Sequence, residues 1–195
     1  ILPVSGFHTN FDQYLEHYQL KWLRPIAEEY LRTVHNSTSR TFGPSNDLLG
    51  RLRETGFRNL RLLERGVDTE LFDPARRSET LRREWGVGPE DPVILFVGRI
   101  ASEKNIELFF EAWERIRKVR PTAKIVLVGD GPARSRLETQ WPDAHFAGVR
   151  RGIDLAVHYA SADFFLFPSM TETFGNVVTE ALASGLAVLA FDYAA

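Results

Sequence analysis

An α/β fold built on a parallel sheet with both faces covered is the architecture this sequence predicts, on three observations. Residues 93–98 (VILFVG) and 124–129 (KIVLVG) are short apolar runs ending in glycine, the pattern of strands buried on both sides. Between them, 104–119 carries Ile106, Phe109, Phe110, Trp113 and Ile116 at helical spacing. Glycines and charges then gather just past the strand runs, in Gly98-Arg99, Gly129-Asp130-Gly131, Gly148-Val149-Arg150 and Pro168 to Glu172. In open parallel sheets the crevice beyond the carboxyl ends of the strands is where ligands bind.

The remaining elements follow in order. Pro121 closes the first helix. A shorter helix is predicted over 133–140, a weaker strand over 145–148, a helix over 153–161, a strand over 163–167, a helix over 175–184 and a last strand over 186–191. Alternation of this kind makes right-handed βαβ units, with helices on both faces of the sheet. The first third reads differently. Phe11, Tyr14, Leu15, Tyr18 and Trp22 fall at helical spacing, and Pro25 opens a second helix carrying Ile26, Tyr30, Leu31 and Val34. Strands are expected at 39–42 and 59–63 around a helix at 46–55, and 64–91 is polar and charge-rich with Pro74 and Pro89. The predicted division is therefore 1–63, a linking segment 64–90, and 91–195. Beginning with Ile-Leu-Pro-Val and stopping at Tyr193-Ala194-Ala195, the chain reads as a piece of a longer protein cut at both ends.

Composition excludes several classes. The 195 residues carry 24 Lys and Arg against 26 Asp and Glu, a net charge of -2, without the basic excess of a nucleic-acid binder. The arginines between Arg51 and Arg83 alternate with acids and read as a solvated surface. Absence of cysteine rules out disulfides, thiolate metal sites and cysteine nucleophiles. No apolar run reaches the ~20 residues of a membrane span. A cytoplasmic location is the expectation.

The segment 168–185, PSMTETFGNVVTEALASG, places Glu172 and Glu180 eight positions apart on either side of a glycine. Along a helix that is roughly 12 Å, beyond the roughly 5–9.5 Å of a glycosidase acid–base pair. Two separate contacts to one extended ligand fit better. Gly175, Asn176 and Val177 would offer free backbone N–H groups at a helix start, which favours a phosphate. Hydroxyls on either side of that phosphate would suit the carboxylates, so a nucleotide-sugar satisfies all three features. Arg99 and Lys104 supply a planar fork and a mobile point charge for a diphosphate. For an isolated pair of acids or of cations, a solvated surface is the better reading; it is their gathering at one sheet edge that favours a site. Asp130 reads as a turn residue. His145 and His158 have no co-ligands in the sequence, and no metal site is expected.

These motifs, VGRIASEKNIE, GDGP and PSMTETFGNVVTEALASG in this order and spacing, resemble retaining glycosyltransferases of family 4 with the GT-B fold. RGVDTELFDP (65–74) resembles the family's interdomain segment, and FHTNFDQY (7–14) the end of its N-terminal domain. The similarity is closest to bacterial mannosyltransferase-like members. It implies a Rossmann-like C-terminal donor domain over 91–195, incomplete, and a remnant of the N-terminal acceptor domain over 1–63. It also implies roles. Arg99 and Lys104 would bind the donor diphosphate and stabilise the leaving group. Glu172 would contact the donor sugar, and Glu180 the ribose hydroxyls. Phe174, Gly175, Asn176, Val177 and Val178 would line the sugar and phosphates, and Val149 and Arg150 would meet the base. His8, which outside the resemblance reads as structural, matches a histidine near the reacting sugar. The donor would be GDP- or UDP-linked, the acceptor a lipid or glycan that would bring the parent protein into peripheral membrane contact, with no metal and no nucleic acid. The rival readings are a nucleotide-binding fragment without catalysis and a GT-B sugar-nucleotide epimerase.

Overall fold

The computed structural model describes residues 2–7, 21–169 and 175–191. They fall into two units, the first made of the described residues up to Gly66 together with Gly175, the second of 67–169 and 176–191.

In the first unit, β1 (Val4–Gly6), β2 (Arg40–Gly43) and β3 (Leu60–Leu62) form a parallel sheet in that order, with Val4 opposite Arg40 and Thr41 opposite Leu60. Helix α1 (Arg24–Asn36) precedes β2, and α2 (Asn46–Glu54) links β2 to β3. Ser45 starts α2 by accepting a hydrogen bond from the Leu48 N–H at 3.3 Å, satisfying one of the helix's orphan donors. Phe7, Leu48, Leu49, Leu52, Phe57 and Leu60 form the core of this unit. The expected stripe on α1 is only partly used. Leu31 packs on the core, whereas Ile26 and Tyr30 are exposed. Trp22 is exposed as well, and Phe11, Tyr14, Leu15 and Tyr18 lie outside the described residues.

The second unit holds the larger core. Strands β4 (Val93–Val97), β5 (Lys124–Val128), β6 (His145–Gly148), β7 (Phe164–Phe167) and β8 (Ala187–Ala190) form one fully parallel sheet, in the order β6-β5-β4-β7-β8. All five residues of β4 are buried, as its unbroken apolar run requires. Chain order runs outward from β4 through β5 to β6, then returns to β7 on the other side. The gap between β4 and β7 is thus the topological switch point.

Helices α4 (Ile106–Val119), α5 (Arg134–Gln140), α6 (Gly152–Ala160) and α7 (Asn176–Ala183) connect the strands. On α4 the buried face is Ile106, Phe109, Phe110 and Trp113, the side read from spacing. Lys104 falls outside this helix. It ends a 3₁₀ turn, Ser102–Lys104, because Asn105 takes a left-handed conformation (φ 51°) before α4 begins.

The charge-rich stretch 64–91 also contains order that its composition conceals. Asp73 and Ser78 accept hydrogen bonds from Ala75 and Leu81 and start a 3₁₀ turn (Pro74–Arg76) and helix α3 (Glu79–Glu84). Phe72, Trp85 and Val87 from this stretch are buried in the second core. Arg82 departs from the solvated surface expected of these arginines, because it is fully buried. Its guanidinium donates to the Ser161, Gly88 and Asp91 carbonyls and to Asp163 Oδ2. That carboxylate also accepts from Arg77 and from the N–H of Val93 at the start of β4. A buried guanidinium persists because nearly all its donors are matched.

Candidate functional site

The carboxyl ends of β4 and β7 are adjacent in the sheet, so the loops that follow them share the crevice at the switch point. The loop after β4 bears Arg99, which is exposed, and Lys104, which is half-buried. Arg99 Nη1 lies 3.1 Å from Glu103 Oε1, so Glu103 partners this cation, and a ligand phosphate would have to compete with that carboxylate. The loop after β5 braces the loop after β4. Ile100 N–H donates to the Asp130 carbonyl, and Ala133 N–H to the Ile100 carbonyl. A side chain at Gly129 (φ 137°) would stand 1.9 Å from the Gly98 carbonyl oxygen, and one at Gly131 would stand 2.3 Å from that of Ile100. Two glycines here let the loops touch backbone to backbone. The Asp130 side chain accepts from the Gly131 N–H at 2.7 Å, a turn role.

Past β7, Pro168 and Ser169 are buried, and the chain resumes after 170–174 at Gly175, also buried, which leads into α7. Asn176, Val177 and Val178 form the first turn of that helix and are half-buried. Their N–H groups precede the first intrahelical acceptors, so they are the donors an anion would meet. Among the described residues Asn176 Oδ1 is buried without a hydrogen-bond partner. One turn on, Glu180 accepts a hydrogen bond from the Tyr159 hydroxyl at 2.9 Å. Burial raises the Glu180 carboxyl above its ordinary value, and the hydrogen bond from Tyr159 partly offsets this. Tyr159 itself is fully buried, and burial together with the Glu180 charge pushes its hydroxyl far above the usual tyrosine range.

At the far side, Val149 is exposed beyond β6, and Arg150 turns its guanidinium back to the Ala147 carbonyl and to Asp154. Strand β6 stands three strand spacings from β7, roughly 14 Å. The expected residues thus string along one sheet edge in the order Val149 and Arg150, then Arg99 and Lys104, then α7. Glu172, Phe174 and His8 lie outside the described residues. Tyr159 was not foreseen. Its link to Glu180 spans 21 positions, and its only sequence signal is an aromatic on a buried helical face. Among the described residues no group of three or more His, Asp or Glu could hold a metal, and no helix is long and apolar enough to cross a membrane.

Two family models match the chain. Residues 91–195 match the family model described as glycosyl transferases group 1, and residues 3–71 match glycosyltransferase family 4. A GDP-mannose-dependent alpha-mannosyltransferase of Corynebacterium glutamicum is 36% identical over 186 residues, covering 95% of this chain and 44% of the relative. The sulfoquinovosyl transferase SQD2 of Arabidopsis thaliana is 38% identical over 195 residues, covering 96% of this chain and 37% of the relative. This chain therefore spans less than half the length of these two relatives. Among solved structures, Anabaena Alr3699/HepE, crystallised with UDP and glucose, superposes with a TM-score of 0.80 at 22% identity, over 97% of this chain and 52% of that one. With one family model matching more than half of the chain and a second matching the stretch before it, the chain belongs to the glycosyl transferases group 1 family.

Proposed function

We propose that the chain carries the donor site of a nucleotide-sugar-dependent glycosyltransferase that delivers a sugar to a lipid or glycan acceptor with retention of anomeric configuration. The observation that carries this reading is that the loop bearing Arg99 and Lys104 and the segment leading into α7 follow neighbouring parallel strands, β4 and β7, at their carboxyl ends. Residues 91–195 act as the donor domain and 1–63 as part of the acceptor domain.

Each group has a task that its chemistry suits. The Arg99 guanidinium and Lys104 ammonium neutralise the diphosphate as it departs, and the α7 N–H groups hold it. Glu180 accepts from the ribose hydroxyls. Glu172 holds the donor sugar, the Phe174 to Val178 backbone lines it, Val149 and Arg150 border the base, and His8 stands near the reacting carbon. The bond between the anomeric carbon and the diphosphate oxygen breaks as the acceptor oxygen bonds to the same face of that carbon. The acceptor proton leaves with the diphosphate. Charge that a metal ion would otherwise balance is met by two cations and a helix terminus.

Relatives named for mannose and for sulfoquinovose share similar identity with this chain, so the donor sugar is left to experiment. Incubating the full-length protein, rather than this segment alone, with GDP- and UDP-sugars and following nucleoside diphosphate release in the presence of glycolipid acceptors tests the reading. Arg99→Ala and Lys104→Ala should each lower turnover at least tenfold. Unchanged turnover in both would remove the charge-stabilising role, and a product that remains a nucleotide-sugar would point to the epimerase.

A further inference from the structure

Glu180 is held by a group the sequence motif does not include. We infer that Tyr159 is a positioning residue for the donor site, fixing the Glu180 carboxylate for its contact with a nucleotide diol. The inference rests on the proposed role of Glu180.

The ring of Tyr159 is fully buried. It meets Phe72 edge-on at 5.6 Å and lies 5.8 Å from Phe165 on β7. Three elements therefore set its position: α6, the segment before the Pro74 turn, and the sheet. Packing of this kind fixes the hydroxyl oxygen in place, and the hydroxyl donates to Glu180 Oε2 at 2.9 Å. Because its proton is held so tightly, it acts as a donor at every working pH.

Among the described residues no other side chain hydrogen-bonds the Glu180 carboxylate, and Oε1 accepts from none. A carboxylate offers about four acceptor positions. Tyr159 takes one, on Oε2, and in this proposal a ribose hydroxyl takes one on Oε1, the carboxylate plane being set by the Tyr159 hydrogen bond. The same hydrogen bond stabilises the charged form of a carboxyl that burial drives toward neutrality. Tyr159 thus governs both the direction of the carboxylate and its charge.

The test uses UDP and GDP as probes and follows their dissociation constants by calorimetry from pH 5.5 to 8. It compares the unchanged protein with Tyr159→Phe, Glu180→Gln and the double variant. Carbon-13 NMR of the Glu180 carboxyl runs alongside. Tyr159→Phe keeps the ring against Phe72 and Phe165, and its unfolding midpoint checks that the fold persists. Expected is a roughly tenfold loss of affinity at pH 7 in Tyr159→Phe, the scale of a hydrogen bond to a charged group. The loss should deepen toward acid pH, because the Glu180 titration moves upward. Adding Tyr159→Phe to Glu180→Gln should then cost little more. If Glu180→Gln weakens binding while Tyr159→Phe binds and titrates like the unchanged protein, the positioning role is overturned and the donor-site reading stands. If Glu180→Gln leaves binding intact, the ligand does not use Glu180 and both fall.

Discussion

The two ends of the five-stranded sheet use charge in opposite ways. At the amino-terminal end, Asp163 takes hydrogen bonds from Arg77, Arg82 and the Val93 N–H, and Arg82 is sealed from solvent. Charge there is matched and serves to lock α3 and the start of β4 to the start of β7. At the carboxyl-terminal end, Arg99 is exposed with one carboxylate 3.1 Å away, and burial raises the Glu180 carboxyl while the hydrogen bond from Tyr159 opposes the rise. Charge that is nearly all matched and sealed at one end and exposed or half-buried at the other suits a ligand site on a rigid support. Substitutions at the two ends should therefore separate stability from binding.

The largest expected effect is at the matched end. Asp163→Ala leaves the buried Arg82 guanidinium without its carboxylate and should cost about 3–5 kcal/mol in urea unfolding, with nucleotide affinity unchanged below the transition. Next is the brace between the loops. Gly129→Ala sets a methyl 1.9 Å from the Gly98 carbonyl oxygen, so one loop must move. A loss of about 2 kcal/mol or more in stability, together with weaker nucleotide binding, would show that this glycine serves both ends of the comparison.

At the open end the sign reverses. The Glu180 carboxyl is raised in the folded state, so its contribution favours folding below the unfolded carboxyl value and is lost as pH rises through the raised value. At neutral pH Glu180→Gln should therefore hold or raise the unfolding midpoint while nucleotide affinity falls. The smallest effect belongs to His145 and His158, which flank Trp85, with ring centroids 6.3 Å and 5.7 Å from it. Burial lowers both, so the folded state keeps them neutral while the unfolded chain takes up protons below about pH 6.5. Stability should be full above that pH and decline gradually below it, and less so in His158→Asn.

Much of this contrast is legible in the sequence. Strands β4 to β8 lie within a residue or two of their expected limits; β4 and β5, buried almost throughout, are written as unbroken apolar runs, whereas β6, β7 and β8 are partly exposed and show through their place between helices and turns. The rest was hidden for physical reasons. Helix α3 has six residues, too few for a period to show. Arg82 is indistinguishable by composition from exposed neighbours such as Arg83, since its burial depends on Asp163, Ser161 and Asp91, remote in sequence. Tyr159 reads as core, which it is, and its second role exists only because α7 brings Glu180 to its hydroxyl. On α1, Ile26 and Tyr30 keep the helical period yet remain exposed, for periodicity marks a face and not what covers it.

The central claim is that the open end binds a nucleoside diphosphate. A thermal-shift titration with UDP, GDP and ADP, on the unchanged protein and on Arg99→Ala and Glu180→Gln, tests it most directly. One nucleotide at about 100 times its dissociation constant should add roughly 2.7 kcal/mol to stability. Both variants should fold normally and lose most of that gain. Stabilisation that survives in both variants, or an absence of stabilisation by all three nucleotides, would contradict the account.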